Sequence, residues 1–346
     1  MIEIDGSMGE GGGQVVRTAL ALSVVTGKGF TIRNIRAGRK KPGLKRQHVA
    51  CVKAAQEICS ARAIGGELQS DSLTFVPGKL KPGDYNFKIE SAGSATLMAQ
   101  TVLPALMCAD APSSISFEGG THNPMAPPYD FLDRVYLPQV EKMGPKFERS
   151  IESYGFFPAG GGKFTIKITP REELRALEVF DLEDTPEVKV TALVANLPLD
   201  IAQREVDEVI RKGGWAANQG QAIEIENSPG PGNVVMIEMD RGYINEIVTG
   251  FGEKGVDAET VARKAYREAK KYIDSGLPVG EYLADQLLLP MGLAALHGEM
   301  SSFVCGPTSD HTETQIDVIK MFLDINIVAE ETSLGRFEVT VSAKIK

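Results

Sequence analysis

The chain has 346 residues, 42% hydrophobic and 24% charged, enough apolar material for one large or two ordinary globular cores, which excludes a disordered chain. Its net charge is −9, its cysteines (Cys51, Cys59, Cys108 and Cys305) lack metal-ligand or redox spacing, and no apolar run approaches the roughly 18 residues of a membrane span. Met1 to Asp5 also lacks the basic and apolar regions of a signal peptide, so the expectation is a soluble cytoplasmic protein with reduced thiols, no structural zinc and no membrane partner.

In chain order, Met1 to Ile4 alternates as a short strand and runs into Gly9-Glu10-Gly11-Gly12-Gly13-Gln14, followed by an apolar helical stretch, Val15 to Val25. Glycines let the backbone approach a ligand closely, and a helix N-terminus offers unpaired N–H groups and the positive end of its dipole, so the loop suits a phosphate. Glu10 brings carboxylate oxygens for a divalent cation, and Arg17, about one turn into the helix, can reach a phosphoryl oxygen. A tight turn without a ligand is the plainer reading of the same residues. Neither common nucleotide fingerprint is present, since no Gly-Lys-Ser/Thr follows and the glycine spacing is not that of a dinucleotide loop.

Phe30 to Ile35 reads as a strand, a second helix starts near Gln47, and Arg62 to Leu68 and Ser72 to Val76 read as hairpin strands stopped by Pro77-Gly78. From Gly11 to Gln56 there is no acidic residue and ten basic ones: Arg17, Lys28, Arg33, Arg36, Arg39, Lys40, Lys41, Lys45, Arg46 and Lys53. That segment carries +10 and the remainder −19, a distribution that focuses an anionic ligand on one face.

The order strand, helix, strand, helix, strand, strand then recurs. Its second copy runs through strand Tyr85 to Ile89, helix Ser94 to Leu106, strand Ser114 to Phe117, helix Pro127 to Glu141, and strands Phe147 to Glu152 and Lys163 to Ile168. A third copy comprises helix Gly280 to Leu296, strand Ser302 to Cys305, helix Thr312 to Leu323, and strands Ile325 to Glu330 and Arg336 to Ala343. Setting Pro104 on Pro290 places Gln100 on Gln286, Leu97 on Leu283 and Leu103 on Leu289, so the repeat is visible in residues as well as in pattern.

The segment from Glu183 to Ser275 does not follow this order. It reads as strand Val188 to Leu193, helix Asp200 to Lys212, strands Ala222 to Glu226 and Asn233 to Met239, and helix Asp257 to Ile273, with Val261, Ala265, Ala269 and Ile273 as a core face. The expectation is an α/β (α+β) protein of three βαβαββ units, with residues 1–182 and 277–346 forming the core domain around an inserted α/β domain, 183–276. Leu174 to Leu182 is expected to supply the missing first strand of the third unit.

Among the four histidines, His311 has the most telling setting, Thr308-Ser309-Asp310-His311-Thr312-Glu313-Thr314-Gln315 ahead of an amphipathic stretch. Thr312 and Gln315 form a capping-box pattern that predicts His311 immediately outside the helix N-terminus. The dipole disfavours imidazolium there, which leaves a neutral, nucleophilic ring able to attack phosphorus. A histidine merely hydrogen-bonded at a helix end is the plainer reading. His48 and His297 read as structural.

Along the whole chain, Gly9 to Gln14, Ile35-Arg36-Ala37-Gly38-Arg39 with Pro42-Gly43-Leu44, Gly119-Gly120-Thr121 with Ala126-Pro127-Pro128, Gly280 to Gln286 and the His311 segment follow one another. This set closely resembles the RNA 3′-terminal phosphate cyclase family. The resemblance implies three βαβαββ units like the C-terminal domain of translation initiation factor three, plus a smaller inserted α/β domain. It implies ATP and a divalent metal (Mg or Mn) as cofactors and an RNA with a 3′-phosphate end as partner. In that chemistry His311 becomes adenylylated, AMP passes to the RNA 3′-phosphate, and the neighbouring 2′-hydroxyl displaces AMP to leave a 2′,3′-cyclic phosphate.

Carried over position by position, the resemblance gives Glu10 a metal and nucleotide contact and makes Arg17, Arg36, Arg39 and Gln47 phosphate-binding side chains. Pro127 and Tyr282 match the pair enclosing adenine, and Gln100, Asp285 and Gln286 match polar contacts around the nucleotide. His122 departs from the Asp or Asn that other members can carry after Gly-Gly-Thr, and it receives no role. The alternative on the same fold is a non-catalytic scaffold in ribosomal RNA processing, whose members lack the nucleophilic histidine. An enolpyruvyl transferase would need twice as many repeats. The physiological RNA, the preferred metal and any oligomer are left open.

Overall fold

A computed structural model describes residues 1–180 and 185–344. The first unit contains β1 (Ile2–Asp5), α1 (Gln14–Thr26), β2 (Phe30–Arg33), α2 (Arg46–Cys59), β3 (Arg62–Ile64) and β4 (Leu73–Val76). Its strands lie in the order β1-β2-β4-β3, with β1 and β2 parallel and the other pairs antiparallel. The second unit contains β5 (Asp84–Lys88), α3 (Ala95–Leu106), β6 (Ser113–Gly119), a helical run of α4 (Tyr129–Phe131), a π-helical turn (Leu132–Tyr136) and α5 (Leu137–Lys142), then β7 (Lys146–Ser153) and β8 (Gly162–Thr169). Its order is β5-β6-β8-β7, the same first-second-fourth-third arrangement.

Next come β9 (Glu178–Val179) and the elements of the intervening segment: β10 (Glu187–Ala195), α6 (Leu199–Gly213), β11 (Gly220–Ile225), β12 (Gly232–Asp240), β13 (Asn245–Phe251) and α7 (Ala258–Ser275). The chain ends with α8 (Glu281–Ala295), β14 (Ser301–Cys305), α9 (Asp310–Phe322), β15 (Ile325–Ser333) and β16 (Arg336–Ala343). Strand β9 pairs in parallel with β14, Glu178 opposite Ser302 and Val179 opposite Phe303, which gives the order β9-β14-β16-β15 and repeats the arrangement a third time. Among the described residues, the strand expected over Leu174 to Leu182 is Glu178–Val179, with Leu174 and Leu177 buried in the core beside it. The expected boundary between residues 182 and 183 lies outside the described residues.

The intervening strands form their own sheet, β11-β10-β12-β13. Strand β13 escapes the sequence pattern because Gly250 interrupts it, and the sheet explains the glycine: a Cβ there would come within 3.0 Å of the Ala265 methyl on α7. Val188, Val190, Ala192 and Val194 of β10 pack under α6 and α7, whereas Leu193, Ala195, Val234, Met236 and Ile247 join the core shared by the three repeats. The sheet is therefore covered on both faces, as the continuous burial of β10 from Val190 to Ala195 requires.

Helix α1 is the axis of the main core. It touches α2, α3 and α9, and Val15, Val16, Ala19, Leu20, Ala21, Leu22 and Val24 are all buried around its circumference. Truncating Leu20 or Leu22, each wholly buried, costs about 2–5 kcal/mol of stability by the usual behaviour of core leucines. Such a helix fixes the position of its own N-terminus, where the glycine loop ends.

Candidate active site

Three helix N-termini converge on the glycine loop. Gln14 is the first residue of α1, His48 lies in the first turn of α2, and His311 is the second residue of α9. His311 therefore lies inside its helix, not before it as the Thr312–Gln315 pattern predicts. Ser309 is the N-cap, its hydroxyl accepting from the Thr312 amide at 3.3 Å, while the Thr312 hydroxyl turns to Ser309 Oγ and Gln315 turns inward.

The loop is glycine because side chains press on its backbone. At Gly12 a Cβ would overlap the Glu10 carboxylate, and at Gly13 it would overlap the His48 ring and come within 3.0 Å of an Arg17 guanidinium nitrogen. Glu10 and Arg39 form an ion pair, Arg39 also donates to the Glu10 carbonyl at 3.1 Å, and the Glu10 amide donates to Thr314 Oγ1 at 3.1 Å.

Gln14 ties the site together. Its Nε2 donates to Asp285 Oδ2 at 3.0 Å and to Gln315 Oε1 at 3.2 Å, and Gln315 Oε1 also accepts from the Thr18 hydroxyl at 2.7 Å. These acceptors turn Gln14 Oε1 toward His311 Nδ1, 2.9 Å away, so Nδ1 carries the proton. Nε2 has no hydrogen-bond partner among the described residues, and the side chain is 49% exposed, which presents an unprotonated nitrogen to solvent. Burial first, then the Arg17 and Arg39 guanidinium groups, hold the His311 pKa below its ordinary value, so the ring is neutral. The geometry suits a nucleophile.

Around it the charges are unusual for their depth. Burial pushes Asp285 up to about 7 against the opposing pull of Arg17. Burial, then Arg17, Arg36 and Lys45, drives His48 down to about 3, and its Nδ1 accepts from the Lys45 amide at 3.0 Å. The Arg17 guanidinium has no hydrogen bond or ion pair with any described residue, although Asp285 and Cys51 lie close enough to influence it. A desolvated arginine without a fixed partner beside helix N-termini is a strong anion receptor. The Cys51 thiol next to it is pushed up by burial and stays protonated.

The other expected residues fall into two groups. Arg36, at φ 56°, donates to Lys41 O at 2.7 Å and Gly43 O at 3.1 Å, so in this conformation it shapes its own loop. Gln47 accepts from the Ser94 amide at 3.3 Å, at the cap of α3. Along the seam of α3 and α8, Gln100 donates to Gln286, Gln286 donates to Tyr282 O at 2.5 Å, and Thr96 holds the Pro127 carbonyl at 2.8 Å. Tyr282 itself is 67% exposed.

Sequence reasoning missed Gln14, His48, Thr314 and Gln315. The available signal was polarity in the wrong place for Gln14 and Thr18, which are buried in the otherwise mostly apolar α1; Gln315, on the amphipathic α9, gives no such signal. His122 is wholly buried, bonded to Asp130 Oδ2 at 2.8 Å and Thr121 Oγ1 at 2.8 Å and stacked on Tyr154, consistent with a structural place.

The family model described as RNA 3′-terminal phosphate cyclase matches residues 8–329. The chain belongs to this family. A relative from Koribacter versatilis named RNA 3′-terminal phosphate cyclase is 47% identical over 337 residues, covering 97% of this chain and 94% of that protein. Another of the same name, from Ectopseudomonas mendocina, is 43% identical over 332 residues, covering 96% of this chain and 95% of that protein. For an RNA 3′-terminal phosphate cyclase family member, the convergence of Glu10, Arg17, Arg39, Asp285 and His311 is the feature to be explained. No helix among the described residues is long and apolar enough to cross a membrane.

Proposed function

We propose that the protein converts an RNA 3′-phosphate end to a 2′,3′-cyclic phosphate with ATP as co-substrate, through adenylylated His311. The observation that carries this reading is the Asp285–Gln14–His311 chain, which leaves the exposed Nε2 free beside two guanidinium groups.

Nε2 attacks the α-phosphorus of ATP, the bond to the bridging oxygen breaks, and pyrophosphate leaves. Arg17 and Arg39 and the amides at the start of α1 stabilise the charge that builds on the phosphoryl oxygens. An oxygen of the RNA 3′-phosphate then attacks the AMP phosphorus and His311 departs. Finally the 2′-oxygen attacks the terminal phosphorus, AMP leaves, and the 2′-hydroxyl proton passes to solvent. The seam of Pro127, Gln100, Tyr282 and Gln286 is proposed to hold the adenine, and Arg36 and Gln47 the phosphate of the RNA end.

Among the described residues, no three His, Cys, Asp or Glu side chains cluster as a cage for an ion. The donor set, one carboxylate at Glu10, fits a divalent ion that arrives with nucleotide phosphates and keeps most of its water. Such an ion would neutralise phosphate charge when bound. The segment 183–276 is proposed to contribute no side chain that touches the reacting atoms.

Incubation with α-labelled ATP and a divalent metal tests the proposal. Label on the protein is expected to be acid-labile and alkali-stable, as a phosphoramidate is, and lost in His311→Ala. Absence of label from the wild-type protein would favour the non-catalytic scaffold.

A further inference from the structure

A buried carboxylate on the intervening segment reaches the helix that carries Tyr282, Asp285 and Gln286. Glu246, on β13, is only 4% exposed. Its Oε2 accepts from the Gly280 amide at 3.1 Å and its Oε1 from the Ile247 amide at 3.1 Å. Gly280 is the N-cap of α8 and has no side chain with which to cap it. A Cβ at Gly280 would overlap the Glu246 carboxylate, so glycine and glutamate are complementary choices.

The approach to α8 is held from both sides. Tyr272 of α7 donates its hydroxyl to the Pro278 carbonyl at 2.8 Å, and the Val279 amide donates to Val304 O at 3.2 Å beside β14. The Gly280 carbonyl in turn accepts from the Leu283 and Ala284 amides at 3.2 and 3.0 Å, which starts the first turn. Glu246 thus fixes where that turn begins and how it is rotated. Tyr282 lies within the turn, and Asp285 and Gln286 follow on the next. A carboxylate at a helix N-terminus is favoured by the dipole. Burial nonetheless pushes Glu246 up to about 8, so near neutral pH it is mostly the protonated acid, and its two oxygens take the Gly280 and Ile247 amides.

We infer that Glu246, contributed by the segment between the second and third repeats, is a positioning residue for the α8 residues of the nucleotide site. The inference rests on the proposed role of the α8 seam in holding ATP. Positions several ångströms from the reacting phosphorus depend on the seating of one turn, so loss of Glu246 acts on nucleotide binding before it acts on chemistry.

The test measures the ATP dependence of self-adenylylation in the full chain carrying Glu246→Ala or Glu246→Gln, beside Tyr282→Ala. For Glu246→Ala the KM for ATP is expected to rise about tenfold with kcat changed less than about twofold, as loss of a buried acceptor to a backbone amide predicts. Glu246→Gln keeps one acceptor oxygen and is expected to fall between alanine and wild type. It also carries the test if the alanine variant fails to fold. A purely structural role would instead lower the active fraction and melting temperature with KM unchanged, and that outcome overturns the inference. If Tyr282→Ala raises KM while folded Glu246 variants do not, only the positioning role fails. If Tyr282→Ala also leaves KM unchanged, the α8 seam is not the nucleotide site.

Discussion

Gln14 Oε1 accepts a hydrogen bond from His311 Nδ1 at 2.9 Å, joining the first turn of α1 to the first turn of α9 across 297 positions of sequence. The bond selects the tautomer and aims Nε2 outward. Gln14→Ala is expected to slow self-adenylylation by about ten- to a hundredfold, the worth of roughly one to three kcal/mol of orientation, without abolishing it. His311→Ala is expected to abolish it. Initial rates of labelling from α-labelled ATP check both, and equal losses in the two variants would remove Gln14 from a positioning role.

Asp285 gives the reaction a pH signature. Ionised, it can only accept, which keeps Gln14 Nε2 turned toward it; protonated, it becomes a donor that competes for Gln14 Oε1. With its pKa raised to about 7, the adenylylation rate is expected to fall as pH drops through about 7. His311 titrates below its ordinary value and adds no step there. The same shift bears on stability. The cost of a buried charge at Asp285 is complete above about 7 and absent below the ordinary value of 3.8, so Asp285→Asn is expected to gain melting temperature over wild type on raising the pH through that window. A pH–rate profile unchanged by Asp285→Asn would assign the step elsewhere.

The repeats were legible because βαβαββ units impose both periodicities in a set order, and equivalent residues can still meet. Gln100 and Gln286, aligned by sequence, are hydrogen-bonded across the α3–α8 seam. The site was legible in part. Glycines, arginines and His311 announce themselves by type, whereas Gln14 and Gln315 are defined by contacts between the first and third units that no local pattern encodes. The start of α9 lies three residues earlier than the Thr312–Gln315 pattern predicts because Ser309 and Thr312 both suit a cap, and Gln315, which would complete the Thr312 box, instead accepts from Thr18. Strand β13 was hidden because Gly250 serves the approach of α7, a tertiary demand.

Arg39 is paired with Glu10 and 41% exposed, placed to exchange that partner for a phosphate. From Arg33 to Arg46 the basic residues have no interleaved aromatic residues with which to stack bases. Arg39→Ala is therefore expected to weaken unrelated RNA 3′-phosphate ends to a similar degree and to reduce the slope of log affinity against log salt by about one. Salt titrations on two RNAs of different sequence check this, and a loss confined to one of them would mean that Arg39 reads bases.

The last prediction separates activation of the phosphate from ring closure. Transfer of AMP needs only a 3′-phosphate oxygen as nucleophile, whereas closure needs the 2′-oxygen. An RNA ending in a 3′-hydroxyl has no phosphate to accept AMP and is expected to be inert. An RNA with a 3′-phosphate whose last sugar lacks the 2′-hydroxyl is expected to accept AMP from His311 and stop, so that an adenylylated end accumulates in proportion to enzyme turnover. Chromatography of the labelled products distinguishes this end from the cyclic phosphate. If the deoxy-terminated RNA remained unmodified while the normal end was cyclised under the same conditions, AMP transfer and closure would have to be one concerted step. Labelling of His311 by ATP, which precedes both, would be unaffected by that outcome.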